Sequence, residues 1–287
     1  MTPPAGAGLP AWWDGRPLGP GERPPPPPPG RGAVAALYET LLCERGKLPY
    51  LGAHLERLAG AADELGFARP RWDPRAALGE LVEALGEEAR GPLALRLTRT
   101  RAGAVGVVPR PAEPPADPGV AVTVAREPRP VGDPLARWKH ADRSAHERVR
   151  AEARRQGAWD ALIPSTEGDL LEGSVANLFA VVDGELRTPP VERGCLPGVL
   201  RGLLLRLRGD ARLLPVGPGD LARASEVFLT NAVVRIVPVI RVIGVRDDLP
   251  GARGAVTAAL RERLAAAEDG PAGGAPSKNE TDPRAIL

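Results

Sequence analysis

The chain has 287 residues, of which 43% are hydrophobic and 26% charged, and its formal net charge is +2. This length suffices for one large domain or two ordinary ones, and the apolar content can fill a core. Charges of both signs are mixed along the chain, which argues against a nucleic-acid-binding surface. The sequence shows no apolar run long enough to cross a membrane and no readable signal peptide. We therefore expect a cytoplasmic protein that acts on a small molecule.

Residues 1–32 are rich in proline and glycine and include six consecutive prolines at positions 24–29. Such a run forms a stiff polyproline II segment without internal hydrogen bonds, so we interpret it as a spacer. Docking of a proline-reading partner is the alternative. Upstream, two short strand pieces flank Asp14 and Gly15, a pair typical of a hairpin turn, and this predicts the start of a sheet.

Residues 33–108 predict a small domain that contains both strands and helices. The strands follow from alternating or continuous apolar residues, and the helices from apolar residues spaced three and four apart. A proline-rich stretch at 109–118 is typical of an interdomain linker. In chain order the predicted elements are a strand at 33–44, a turn with Lys47, a returning strand at 48–51, helices at 52–65 and 74–89, and a strand at 93–100.

A larger domain of mixed α+β class is predicted over residues 119–267. Beyond it, residues 268–287 are rich in glycine and polar residues, which predicts a disordered tail. The same patterns of alternation and helical spacing locate the elements. We predict strands at 120–124, 161–164, 178–182, 185–188, 226–230 and 237–243, and helices at 144–156, 199–207 and 250–267.

Lysine is rare in this chain. Of 38 basic residues only three are lysines, at positions 47, 139 and 278, and the other 35 are arginines. An arginine cannot lose its proton in a protein, whereas a desolvated lysine can become an amine nucleophile or a general base. Lys47 is explained by a turn and Lys278 by the polar tail, so Lys139 is our candidate for covalent chemistry. An ordinary surface lysine is the alternative.

Other catalytic chemistries find little support in the sequence. It has no nucleophile elbow, no zinc-protease motif and no phosphate-binding Walker loop. Two cysteines, Cys43 and Cys195, and three histidines predict neither a disulfide framework nor a metal site. An amine nucleophile needs a carbonyl partner, and pyridoxal 5'-phosphate fits this requirement. Its site needs a lysine, an acidic residue at the pyridine nitrogen, and donors for the phosphate.

Four sequence blocks, in order, resemble those of the fold-type IV pyridoxal-phosphate enzymes, the class IV aminotransferase family. The resemblance extends over roughly residues 33–243. A lone lysine also stands at the expected distance before the third block. The blocks are Tyr-Glu-Thr-Leu at 38–41, His-Leu-Glu-Arg-Leu at 54–58, Leu-Glu-Gly-Ser-Val-Ala-Asn-Leu-Phe at 171–179, and Thr-Pro-Pro at 188–190 with Gly-Cys-Leu-Pro-Gly-Val-Leu-Arg at 194–201.

This resemblance implies a two-domain fold like that of D-amino acid aminotransferase, with a small N-terminal α/β domain and a larger domain built on a barrel-like sheet. It also implies a homodimer. Lys139 would form the Schiff base with the cofactor and carry protons, and Glu172 would partner the pyridine nitrogen. The other residues that the resemblance implies in cofactor binding are Arg57, Leu196, Gly198, Val199, Asn231 and Ala232.

Within the family, the residues around Lys139 favour a particular reaction. Lys-His-Ala-Asp-Arg at 139–143 and Phe-Leu-Thr-Asn-Ala at 228–232 resemble the aminodeoxychorismate lyases more than the branched-chain aminotransferases. The resemblance implies elimination of pyruvate from aminodeoxychorismate to give 4-aminobenzoate, a precursor in folate biosynthesis. Arg143 and Asn231 are the candidate substrate contacts.

One departure from the family leaves alternatives open. Residues 31–36 read Arg-Gly-Ala-Val-Ala-Ala where the family carries an aromatic residue followed by Gly, an acidic residue and Gly. This change bears on the substrate more than on the cofactor. The alternatives are an aminotransferase for branched-chain or D-amino acids with a 2-oxo acid acceptor, and a non-catalytic relative that acts as a scaffold.

Overall fold

The computed structural model describes residues 9–19, 22, 24–25, 34–115 and 117–269. Within this part, the chain divides into two compact units. The first contains the described residues up to Glu113 together with Trp138–Asp142, and the second contains the remaining described residues. The predicted tail beyond Asp269 and positions 26–29 of the proline run lie outside the described residues.

The first unit is built on a five-stranded antiparallel sheet with the order β2-β1-β5-β4-β3. Residues that alternate along β3 and β4 point to opposite faces of this sheet, and one face carries the leucines of a buried core. The strands are β1 (Trp12–Trp13), β2 (Arg16–Pro17), β3 (Ala36–Cys43), β4 (Leu93–Thr100) and β5 (Val105–Pro111).

Two helices cover the core face of this sheet, α1 (Leu51–Glu64) and α2 (Pro74–Leu85). The start of α2 is fixed by Asp73, whose carboxylate accepts hydrogen bonds from the backbone amides of the first turn, and by proline at the first helical position. A 3-10 turn, Gly86–Arg90, follows α2. These helices bury their leucines against the core residues of β3, β4 and β5.

The segment Trp138–Asp142 adds to the edge of β3. Tyr38 donates its backbone N–H to the carbonyl of Lys139 at 2.9 Å, and Ala141 donates to the carbonyl of Ala36 at 2.8 Å. Trp138 packs against the core of the first unit, and its indole N–H donates to Glu64 at 3.2 Å. Although its place in the sequence is within residues 119–267, this segment is therefore part of the first unit.

The second unit contains an eight-stranded sheet with the order β11-β10-β9-β12-β13-β6-β7-β8. Because β8 also pairs with β9, six of the strands close into a barrel. The apolar side chains of these strands form its buried core. The strands are β6 (Val120–Val124), β7 (Asp160–Pro164), β8 (Leu170–Gly173), β9 (Asn177–Val182), β10 (Glu185–Thr188), β11 (Arg212–Leu213), β12 (Glu226–Asn231) and β13 (Arg235–Val242).

Four helices belong to the second unit. None of the helices in the described part of the chain is long and apolar enough to cross a membrane. The carboxylate of Glu226 accepts hydrogen bonds from the backbone N–H groups of Val256 and Thr257, which fixes the start of the last helix. The helices are α3 (Ser144–Arg155), α4 (Val199–Arg208), α5 (Pro218–Arg223) and α6 (Ala255–Asp269).

Most predicted elements are confirmed within two residues at each end, but several bounds are wrong. The strand predicted at 33–44 begins at Ala36, and the helix predicted at 74–89 ends at Leu85, because a 3-10 turn follows it. The returning strand at 48–51 is absent, because α1 begins at Leu51. The predicted linker starts too early, since β5 continues to Pro111. The last helix begins at Ala255 rather than 250, because a 3-10 turn precedes it. It also runs to Asp269, so the first two residues of the predicted tail are helical.

Candidate active site

The candidate nucleophile Lys139 is held by the backbone hydrogen bonds that join its segment to β3. Its side chain is half-buried, and its Nζ lies 4.8 Å from the centroid of the Tyr38 ring. A cation over an aromatic face is attracted by the negative potential of the ring. The other described lysine, Lys47, is exposed in the turn after β3. Lys139 therefore has the more structured and less solvated environment of the two.

Like Lys139, Arg96 lies over the ring of Tyr38. Its guanidinium carbon lies 4.0 Å from the ring centroid. Leu95 and Leu97, on either side of it in β4, belong to the core, so strand alternation directs Arg96 to the opposite face of the sheet. The sequence analysis did not identify Arg96, because nothing local distinguishes it from the other arginines of the chain.

A buried ionic cluster joins β3 to α1. Glu39, only 1% exposed, accepts hydrogen bonds from Nε and Nη2 of Arg57 at 2.8 and 2.6 Å, and it lies 2.8 Å from Nδ1 of His54. Burial alone would raise the pKa of Glu39, but the charge of Arg57 and the hydrogen bonds from both partners lower it to about 2. Burial lowers the pKa of His54, and the hydrogen bond and charge of Glu39 oppose this effect. The cluster fixes the position of Arg57.

Glu172 lies on β8 in the second unit and is buried. Its Oε1 accepts a hydrogen bond from Nη1 of Arg129 at 2.7 Å, and its Oε2 accepts one from the backbone N–H of Leu196 at 3.0 Å. The second bond joins two of the predicted site residues directly. Arg129 was missed by the sequence analysis because it lies 43 positions before Glu172 in a loop without a recognisable motif.

The loop after Cys195 leads into α4, whose N-cap is Gly198. The first backbone N–H groups of a helix have no partner within the helix and favour an anion. Asn177 supports this loop by donating to the carbonyl of Leu196 at 2.8 Å. A side chain at position 198 would clash with the Oδ1 of Asn177. Glycine at position 198 is therefore required for Asn177 to keep its place beside the start of α4.

Arg143 and Asn231 converge on one turn. Arg143 donates from Nη2 to the carbonyl of Ser174, and Asn231 donates from Nδ2 to the carbonyl of Val175 at 3.2 Å. The Oδ1 of Asn231 accepts from the backbone N–H groups of Val233 and Val234 at 2.9 and 3.0 Å. This arrangement fixes the turn that contains Ala232. Both predicted substrate contacts therefore donate hydrogen bonds to the turn at Ser174 and Val175, which follows β8 and Glu172.

The same turn rests on a buried carboxylate that the sequence analysis did not identify. Asp160 accepts hydrogen bonds from the backbone N–H groups of Ser174 and Val175 at 3.1 and 3.2 Å, and from the Ser174 hydroxyl. Burial raises the pKa of Asp160 above its ordinary value, and these hydrogen bonds offset only part of that rise. A single aspartate at the start of a strand gives no signal in the sequence, because its partners lie 14 and 15 positions away.

Cys195 borders this site without taking part in its chemistry. It is buried, and burial together with the charge of Glu172 raises its pKa to about 12. A thiol with such a pKa stays protonated and is a poor nucleophile at neutral pH. Among the described residues, no group of three His, Cys, Asp or Glu side chains is placed to hold a metal ion.

The residues present fit pyridoxal phosphate by the chemistry of their donors. Glu172 offers a buried carboxylate for a pyridinium nitrogen, the open start of α4 offers amides for a phosphate, and Lys139 offers an amine for an aldehyde. Together these groups supply the residue types that a pyridoxal-phosphate-dependent enzyme requires.

The comparisons with known proteins agree with this class. The family model for class IV aminotransferases matches residues 36–242, and the chain belongs to this family. The branched-chain-amino-acid aminotransferase of Escherichia coli K12 is 34% identical over 102 residues, which is 34% of this chain and 33% of that enzyme. The match thus spans about a third of the length of such relatives.

Two solved structures cover most of the chain. It is similar to 4-amino-4-deoxychorismate lyase from Pseudomonas aeruginosa, with a TM-score of 0.75, 27% identity, and coverage of 90% of this chain and 98% of that one. It is also similar to a hypothetical aminotransferase from Mycobacterium tuberculosis in its PLP-bound form, with a TM-score of 0.72, 26% identity and the same coverage. The neighbours therefore include both a lyase and aminotransferases.

Proposed function

We propose that this enzyme is a pyridoxal-phosphate-dependent 4-amino-4-deoxychorismate lyase, which eliminates pyruvate from aminodeoxychorismate and releases 4-aminobenzoate. The observation that carries the proposal is the placement of Arg143 and Asn231 on the turn that follows Glu172. Both residues belong to the two motifs that resemble the lyases, Lys-x-x-Asp-Arg and Thr-Asn-Ala. The likeness to the Pseudomonas aeruginosa lyase supports the same reaction.

In this proposal the residues that the family resemblance names hold the cofactor. Glu172 would hold its pyridine nitrogen and Leu196 would lie against its ring. Lys139 would supply the amine that holds its aldehyde carbon and that becomes free when the amino group of the substrate takes its place. Donors for the phosphate would come from Arg57, Gly198, Val199 and Ala232, and Asn231 would hold the turn that contains Ala232.

When bound, pyridoxal phosphate supplies an electron sink for the pair released as a substrate C–H bond breaks. Lys139 removes the proton from ring carbon 4 of the substrate and returns a proton to the departing enol of pyruvate. The C–O bond to pyruvate breaks in the same elimination, and the remaining ring becomes aromatic. Glu172 keeps a proton on the pyridine nitrogen by accepting its hydrogen bond. Arg143 and Asn231 orient the carboxylates of the substrate.

Product analysis tests the proposal. Purified holoenzyme given aminodeoxychorismate without an amino acceptor should release pyruvate and 4-aminobenzoate in equal amounts. A strict requirement for 2-oxoglutarate or another 2-oxo acid would instead establish an aminotransferase. That second candidate is favoured by the identity with the Escherichia coli branched-chain enzyme, and it predicts transfer from a branched-chain or D-amino acid.

We also propose that the enzyme is a homodimer, as the family resemblance implies, and that it acts in the cytoplasm. Light scattering of the purified full chain tests the oligomeric state: a mass near 60 kDa is expected, twice that of the 30.1 kDa chain. A monomer with bound cofactor and full activity would contradict this assembly.

A further inference from the structure

Arg129 makes three contacts that converge around Glu172. Its Nη1 donates to Oε1 of Glu172 at 2.7 Å and to the carbonyl of Gly194 at 2.9 Å, and its Nη2 lies 2.9 Å from Nε2 of His146. The side chains of Arg129 and Glu172 are only 12% and 8% exposed. Arg129 is thus an almost fully desolvated cation against the carboxylate that faces the cofactor in the proposed site.

The backbone of Arg129 is fixed as firmly as its side chain. Its N–H donates to the carbonyl of Pro164 at 2.8 Å, and it forms an isolated bridge with Ser165 beside the end of β7. The backbone of Arg129 is therefore anchored, and its guanidinium group contacts the three partners given above. For the contact with His146 to be a hydrogen bond, Nε2 must carry the lone pair, which requires the neutral ring with its proton on Nδ1.

A buried carboxylate needs compensation for the water it loses. The amide of Leu196 contributes one hydrogen bond to Glu172, whereas Arg129 contributes a full positive charge. The partial positive charge of the amide alone is the weaker of the two compensations. Without Arg129, Glu172 would lose the cation that hydrogen-bonds to it, and its remaining compensation would be the Leu196 amide and the charge of the buried Arg201.

We infer that Arg129 is a positioning residue that holds the carboxylate of Glu172 in place for the pyridine nitrogen of the cofactor. The inference rests on the cofactor binding that the proposed function requires, and it is independent of the choice between lyase and aminotransferase. Through its bond to the Gly194 carbonyl, Arg129 also couples Glu172 to the loop that supplies Leu196.

Cofactor affinity is the first test. Equilibrium dialysis of full-length variants against pyridoxal phosphate should show that Arg129→Gln binds roughly tenfold or more weakly, because a buried charge pair has lost one partner. Arg193→Gln is the matched control: Arg193 adjoins the same loop but pairs with Asp169 and Glu167 instead. This control should retain the affinity of the wild type. Equal losses in both variants would overturn the inference, because they would indicate damage to the loop.

A double-variant cycle tests whether Arg129 acts through Glu172. In a Glu172→Gln background, the further change Arg129→Gln should cause no additional loss of cofactor affinity. An independent loss of the same size in that background would overturn the inference. The circular dichroism of each apo-variant checks that it is folded before the comparison is made.

The absorption of the bound cofactor provides a readout that a purely structural role does not move. Loss of a nearby positive charge stabilises protonated forms, so the pH midpoint of the visible absorption change should rise in Arg129→Gln. Arg129→Lys keeps the charge and should retain the midpoint of the wild type. An unchanged midpoint in Arg129→Gln would contradict the inference, even if the product analysis supports the lyase. Conversely, a raised midpoint in a protein that proves to be an aminotransferase would leave the inference intact.

Discussion

Arg57 donates two hydrogen bonds to Glu39, from Nε to Oε1 and from Nη2 to Oε2. This two-point contact fixes the plane of the guanidinium as well as its position. In the proposed function Arg57 also binds the cofactor phosphate. The orientation of Arg57 therefore depends on Glu39, which does not itself contact the cofactor in that proposal.

The Glu39 cluster should make stability depend on acid pH. The pKa of Glu39 is lowered to about 2 from an ordinary value of 4.5. Its contribution is therefore complete above pH 4.5 and is lost as the pH falls toward 2. Glu39→Gln should lower the free energy of unfolding by about 3 kcal/mol at pH 7. Urea denaturation at several pH values measures the difference, which should shrink in acid.

The control for this prediction is Glu56→Gln, because Glu56 lies on α1, the helix that contains Arg57, but is exposed. It should change the stability by less than about 0.5 kcal/mol. If wild type and Glu39→Gln differed in free energy of unfolding by the same amount at pH 7 and pH 2.5, the stabilisation by the cluster would not depend on the ionisation of Glu39.

Lys139 should be the only described lysine that reacts with the cofactor. Borohydride reduction of the holoenzyme followed by peptide mapping should place the pyridoxyl group on Lys139. Lys139→Ala should lose this label and the activity, whereas Lys47→Ala should retain both because Lys47 is an exposed turn residue. Label on Lys47 in the wild type would contradict the assignment.

Gly198 should tolerate no side chain. Gly198→Ala would press a methyl group against Asn177, and we expect a loss of about 1–3 kcal/mol in stability or cofactor binding. Gly202→Ala is the control within α4, where the nearest atom is 3.7 Å away, and it should be neutral or stabilising by up to about 1 kcal/mol. Thermal unfolding with and without pyridoxal phosphate separates the two effects. Equal losses of stability and of cofactor binding in the two variants would contradict the predicted clash with Asn177.

Asn231 has two separable roles. Asn231→Asp keeps the oxygen that accepts from Val233 and Val234 but loses the donor to the Val175 carbonyl. Asn231→Ala loses both and should be the less stable by about 1–3 kcal/mol. Because the donor fixes the turn next to Glu172, both variants should show a raised KM for aminodeoxychorismate. If Asn231→Asp kept the KM of the wild type, the hydrogen bond from Asn231 to the Val175 carbonyl would have no part in substrate binding.

Local signals predicted many elements, because their causes lie within a few residues. The strand at 120–124 and the helix starts at 74, 144 and 199 are where apolar spacing and capping residues locate them. By contrast, the sequence predicts no strand at β5, and Pro109 and Pro111 favour a linker over its last residues. Its neighbour β1 pairs only with Gly106 and Val107, so the prolines interrupt no pairing on that side.

The site was predictable only in part, for the same physical reason. The recognised blocks located Glu172 and the start of α4, since the residues of each block are adjacent in sequence. The supports of the site come from far away: Arg129 reaches Glu172 across 43 positions, and Asp160 reaches Ser174 across 14. Contacts of this kind depend on strand register, which no single stretch of sequence fixes.

The attachment of Trp138–Asp142 to β3 means that the polypeptide enters the first unit a second time. Cutting the chain near residue 114 would therefore not yield two complete pieces. A fragment that begins there would carry Lys139 but not the edge of β3 that pairs with it, and the backbone groups at 139 and 141 would lose their partners. Any division of this enzyme into separately expressed parts must supply both fragments together.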